Sequence, residues 1–219
     1  MPAADNTLAK LPEGMSEEQG LMLTDNLPTG WFGAVRADIA PGATVAVVGV
    51  GPVGQHAVES AFILGAARVL VVDPVAERRQ AAALVGAEPI DSDGDVIAKI
   101  REATSGRMAD AVIEAVGRPQ AIRLAVEIAG RGATISVVGV PTEPQLAVPP
   151  TTLQMNNQTL RLSLCPVQST WPALLPLVRE GRLRPERVVT TRLPLEHGPE
   201  AYARFNGREE GILKVVLES

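Results

Sequence analysis

The stretch VAVVGVGPVGQHAVES, residues 45–60, runs an apolar, β-branched strand into three glycines and then into a helical pattern. Gly49, Gly51 and Gly54 stand in the spacing G-x-G-x-x-G between the two. Each glycine has its own reason to lack a side chain. Gly49 permits the tight turn, Gly51 lets a pyrophosphate approach the backbone, and Gly54 lets the helix pack close. The helix start offers free N–H groups and the positive end of its dipole, which suits phosphate. Pro52 lacks an N–H but has the φ of a first helical residue, so Val53 is expected to be the main backbone donor. The pattern implies a bound dinucleotide.

Outward from this stretch, short β-rich runs recur at 44–49, 68–73, 88–90, 110–114, 133–140 and 159–164. Helix-like segments lie between most of them, at 52–64, 75–84, 94–103 and 119–129. Strands without polar alternation, joined by helical crossovers, belong to a parallel sheet covered on both faces. The expected fold is therefore a doubly wound, six-stranded α/β Rossmann sheet. Residues 1–30 and 185–219 fall outside this rhythm and read as flanks of another domain, leaving 31–184 as the NAD-binding unit. In the second flank, RLPLEHGPEAYARF followed by ILKVVLE reads as a helix and then a strand.

Asp73 ends the second predicted strand, roughly 20 residues past the glycines, where a carboxylate accepts hydrogen bonds from the adenosine ribose. A 2'-phosphate would meet like charge there, so NAD is expected over NADP. The competing reading is that Asp73 only opens a turn with Pro74. Arg78, one helical turn further, could reach the same ribose or form a solvated face with Arg79.

A net charge of -5 without a Lys/Arg cluster argues against nucleic acid. Apolar runs of about five residues are far below the roughly 20 of a membrane span. The start also lacks a charged-then-apolar signal sequence, so a cytoplasmic protein is expected. With Cys165 as its single cysteine, the chain can form neither an internal disulfide nor a thiolate zinc site. His56 and His197 lack a ligand or nucleophile spacing and read as surface or helix-facing residues.

Several segments occur in the order found in medium-chain dehydrogenases: LTDNLPTGWFGA, GVGPVGQHAVESAFILGAARVLVVD, GAEPID, DAVIEAVG, TISVVGV, and EAYARF with GILKVVL. The chain resembles the cofactor half of a zinc-type alcohol dehydrogenase, near the glutathione-independent formaldehyde dehydrogenases. The resemblance implies that Val116 and Arg118 flank the adenine, although Arg118 could be a plain surface residue beside Pro119. It also implies that Val138, Gly139 and Val140 lie along the nicotinamide, and that backbone groups of Ser163 and Cys165 address its carboxamide. The Cys165 thiol itself reads as a small buried filler.

Thr29 falls on a residue touching the nicotinamide, and Asp25 on the third protein ligand of the catalytic zinc. In complete members zinc polarises the substrate oxygen during hydride transfer. The remaining ligands and the proton relay belong to an N-terminal GroES-like domain, which the chain is expected to lack. Asp25 is then an orphan ligand, and no complete catalytic set is expected. Two functions follow: an oxidoreductase fragment or subunit transferring hydride between an alcohol or aldehyde and NAD, or a catalytically silent NAD(H)-binding or oligomerisation module. The edge strand TLRLSL, residues 159–164, suggests a homo-oligomer.

Overall fold

The computed structural model describes residues 8–146, 148–207 and 209–219. It opens with two helices, α1 (Glu17–Met22) and α2 (Asn26–Arg36), before β1 (Thr44–Val48) and α3 (Pro52–Ile63). There follow β2 (Arg68–Val72), α4 (Ala76–Ala83), β3 (Glu88–Ile90), α5 (Val96–Ala103), β4 (Ala109–Glu114) and α6 (Pro119–Ile128). The sheet is completed by β5 (Ala129–Val137), α7 (Pro150–Met155) and β6 (Thr159–Leu162). Last come α8 (Val167–Arg179), β7 (Thr191–Pro194), α9 (Gly198–Asn206) and β8 (Val215–Glu218).

Six strands form one parallel sheet in the order β3-β2-β1-β4-β5-β6, as the sequence led us to expect. Every residue of β1 is buried, and its side chains alternate between two cores. Val45 and Val47 pack with Ala34, Ala37, Ala57 and Val58 from α2 and α3. Ala46 and Val48 pack on the other side with Ile100, Ile122 and Val126 from α5 and α6. Burial on both faces is why these strands carry Val and Ala at consecutive positions. The strand order reverses between β1 and β4, and their carboxyl ends open the crevice where ligands of such sheets bind.

Three segments depart from the expected elements. The fifth strand spans 129–137 rather than 133–140. It starts at once after α6, with a register irregularity between the pairs Ala109/Ala129 and Ala111/Thr134. It stops because the N–H groups of Val138 and Gly139 both turn to the Glu114 carbonyl, at 2.9 and 3.1 Å. The C-terminal flank opens with a short 3-10 helix, Pro185–Val188, its RLP forms part of the strand β7, and its helix starts only after Pro194. β7 and β8 then pair in parallel as a separate two-stranded sheet. Finally, α8 forms across 167–179 despite Pro172 and Pro176.

Residue 30 lies inside α2, and Ala34 of that helix and Ala37 at its C-cap belong to the same core as β1. The two flanks also meet each other: Met22 is buried with Val188, Val189, Leu213 and Val216. Residues 1–7, the start of the first expected flank, lie outside the described residues. Among the described residues no helix is long and apolar enough to cross a membrane.

Candidate functional site

The glycine turn closes as the spacing requires. Gly49 has φ +83°, and a Cβ there would sit 2.3 Å from Val116 Cγ2. Its N–H donates to Val72 O at 2.8 Å, extending the β1–β2 ladder into the turn. Gly54 is fixed by sterics, since its Cβ would lie 1.9 Å from Gly49 O, so the helix rests on the turn itself. Gly51, the N-cap of α3, differs: a Cβ there would meet only Arg78 Nη1, at 3.8 Å. The space over Gly51 is open. The N–H of Val53, in the first turn, has no acceptor four residues back within the helix and is free to serve a ligand.

Asp73 follows β2 and is buried, 4% exposed. Its Oδ2 accepts from the Val50 N–H at 2.9 Å and its Oδ1 from the Val75 N–H at 2.8 Å. The turn role with Pro74 is thus present, and the same carboxylate pins the glycine turn. An ionised carboxylate has about four lone-pair sites, so two backbone donors do not exhaust it. Arg78 Nη1 stands 4.0 Å from Asp73 Oδ2, and Arg79 donates to the Asp73 carbonyl. A crevice of about 420 Å³ borders Arg78 between α4 and the chain around Gly211 and Ile212.

Across the switch point, a residue that sequence reasoning passed over organises the ends of β4 and β5. Glu114 is fully buried, and its Oε1 accepts from the N–H groups of Val116 and Gly117 at 2.8 and 2.9 Å. Burial pushes its carboxyl above the usual range, and the Gly117 and Val116 N–H groups pull the other way. An acidic residue directly after the apolar run AVI, in DAVIE, was the available signal. Beside it two loops touch backbone to backbone: a Cβ on Gly139 would lie 2.1 Å from Gly117 N. Val116, Arg118 and Val140 are exposed around this contact, with Val116 also against the glycine turn. The Val138 side chain instead enters the core beside Gly33, leaving only its backbone to face a ligand.

A second group forms at the start of α2. Thr29 Oγ1 donates to Asp25 Oδ1 at 2.9 Å. The Cys165 thiol shares this corner: burial pushes it up to about 11, with a Thr29 hydrogen bond lowering it and the Asp25 charge raising it. Such a thiol is protonated at neutral pH, consistent with a filler rather than a nucleophile. Ser163 N–H is spent on Val137 O at 3.1 Å, continuing the β6 ladder. The residue after Thr29, Gly30, joins the two groups, since a Cβ there would lie 2.7 Å from Val53 O.

The histidines stand apart. His56 is fully buried against α2, not on the surface, and neither ring nitrogen has a hydrogen-bond partner. His197 is half exposed beside Glu200. Among the described residues no group of three His, Cys, Asp or Glu converges on a possible metal position. Asp25 alone does not fit a zinc site, which takes three or four protein ligands.

Comparison with known proteins agrees with the fold. The profile of the zinc-binding dehydrogenase family matches residues 52–180. A probable zinc-binding alcohol dehydrogenase of Mycobacterium tuberculosis is 46% identical over 217 residues, covering 99% of this chain and 56% of that protein. An NADP-dependent isopropanol dehydrogenase of Thermoanaerobacter brockii is 37% identical over 194 residues, 85% of this chain and 55% of that protein. Among solved structures, an alcohol dehydrogenase from Thermus sp. ATN1 superposes with a TM-score of 0.94 at 37% identity, covering 99% of this chain and 62% of that one. The chain therefore spans little more than half the length of the relatives it matches.

Proposed function

The chain belongs to the zinc-binding dehydrogenase family, and from that premise we propose that it binds NAD(H) as the cofactor half of an alcohol or aldehyde oxidoreductase. The observation that carries the reading is the joint between the glycine turn and Asp73. An open space over Gly51, a helix N-terminus and a buried carboxylate lie within one hydrogen-bonded corner. One relative is an NADP-dependent isopropanol dehydrogenase, so the choice of nucleotide rests on this chain's own residues.

When bound, NAD supplies the hydride acceptor for oxidation of an alcohol, and NADH the donor for reduction of an aldehyde. The Val53 N–H and the α3 dipole hold its phosphates. The free lone pairs of Asp73 accept from the ribose hydroxyls, while its charge repels a 2'-phosphate. Val116 and Arg118 flank the adenine. Thr29, with the backbone of Val138, Gly139, Val140, Ser163 and Cys165, faces the nicotinamide end. The described residues give zinc no site, so no step runs through the metal here. A catalytically silent NAD(H)-binding or assembly module is the second reading, favoured by the lack of converging metal-ligating side chains among the described residues.

Titration followed by cofactor fluorescence tests the proposal. We expect NADH to bind at least about tenfold more tightly than NADPH, the ratio for about 1.4 kcal/mol of charge repulsion. Asp73→Ser should narrow that gap. Equal affinities in the unaltered chain would sink the assignment of Asp73.

A further inference from the structure

Gln55 follows the third glycine and is buried, 7% exposed. Its carboxamide nitrogen donates to two carbonyls at once, Val50 O at 2.9 Å and Arg78 O at 2.8 Å. One NH₂ group thus bridges the glycine turn to α4. The corner is tied twice more, by the Val50 N–H to Asp73 Oδ2 and by Arg79 to the Asp73 carbonyl. The peptide groups around Val50 are therefore held on both sides, and the backbone of Arg78 is fixed to them.

The consequence lies in where the Arg78 guanidinium ends up. Apart from the chain neighbours of Gly51, its Nη1 is the one atom among the described residues within 4 Å of the position a Gly51 Cβ would take. At 4.0 Å from Asp73 Oδ2 it is beyond hydrogen-bond length, so its donors stay uncommitted to that carboxylate. An arginine side chain loses much rotamer freedom when it engages a ligand, and anchoring its backbone limits how far the head must be recruited. We infer that Gln55 is a positioning residue: it holds Arg78 at the rim of the Gly51 opening, where the guanidinium meets the phosphate and ribose of the dinucleotide. This rests on the NAD(H) reading above.

A double-mutant cycle on the full 219-residue chain tests it, with NADH as the probe. Gln55→Met keeps the length of the side chain and removes both donors, while Arg78→Ala removes the guanidinium. We expect each single variant to weaken NADH about fivefold, and the double variant to bind no more weakly than Arg78→Ala, the non-additivity of residues acting through one another. A side chain that merely fills the corner would give losses that multiply in the double variant, and that result overturns the inference. Unchanged binding by Gln55→Met overturns it as well, and leaves the NAD(H) reading intact. Should Gln55→Met fail to fold by circular dichroism, Gln55→Asn, too short to span both carbonyls, carries the same cycle with the same criteria. Absence of NADH binding by the unaltered chain would instead remove the NAD(H) reading, and this inference with it.

Discussion

Glu114 is the residue on which the shape of the switch point depends most directly. Its carboxylate caps two N–H groups in the loop after β4, and its carbonyl takes two more from the end of β5. Its side-chain pKa is raised above 4.5, with burial the largest cause. A carboxyl raised on folding binds its proton more tightly in the native state. The stability it contributes is therefore present below the unfolded value and is lost as pH rises through the folded one. Glu114→Gln, which keeps an acceptor and carries no charge, should flatten that decline in thermal melts collected from acid to neutral pH. Glu114→Ala leaves buried N–H groups unpaired and should cost about 1–3 kcal/mol at all of these pH values. Identical pH profiles for the wild type and Glu114→Gln would show that the burial effect is not expressed in stability.

At the scale of elements, β6 and α8 teach different lessons. β6 ends the sheet; Leu162, in its last pairing opposite Val137, and Leu164 beyond it are 50% and 87% exposed. Arg161, between Leu160 and Leu162, is tied to α2 through the Arg36 carbonyl and Asp38. Because the Ser163 N–H donates to Val137 O, the two-residue period of a strand turns the Leu162 N–H away from β5, toward the free edge. An unpaired edge flanked by exposed leucines is a template for a second copy, and we propose that two chains associate there. Leu162→Pro removes an outward donor without touching the β5 ladder. Sedimentation over a concentration series should show a dimer that this substitution weakens; a wild-type monomer at high concentration would count against the edge. In α8 the two prolines remove helical donors, yet Leu174 and Val178 are buried and Trp171 Nε1 donates to Leu23 O at 2.9 Å. Packing against α2 and the preceding turn decides that helix over its local sequence.

For the whole molecule, the joined flanks matter most. Met22 forms one small core with Val188, Val189, Leu213 and Val216, and Arg192 donates to Glu18 nearby, with Nη2 to Oε2 at 2.9 Å. Arg187 reaches Glu59 of α3 at 3.5 Å and ties this unit to the helix that follows the glycine turn. Asp25 and Thr29 stand where α2 leaves this corner, without further carboxylates, imidazoles or thiolates enough for a metal among the described residues. We therefore expect the 219-residue chain to bind no stoichiometric zinc and to produce no NADH from alcohols when zinc is added. Metal analysis together with absorbance assays checks this. Stoichiometric zinc, with turnover abolished by Asp25→Ala, would prove that a site assembles.

By itself the sequence determined the strands of the sheet and its glycine turn, because the signals of both are local. A strand buried on both faces must be apolar throughout, and a helix resting on a turn carbonyl admits only glycine, so β1, β2 and Gly49, Gly51 and Gly54 were legible from residue type and spacing. The roles of Glu114 and Gln55 were not, since the Glu114 carbonyl meets the N–H groups of Val138 and Gly139 only where β5 lies beside β4, and Gln55 reaches the Arg78 carbonyl only where α4 is set beside the glycine turn. The same holds for α8, where buried contacts outweigh two prolines, and for β7, whose half-buried TRLP carries no apolar run and becomes a strand through its pairing with β8. Tertiary structure decided these because a hydrogen bond or a buried contact is specified by where two segments meet, which neither segment encodes alone.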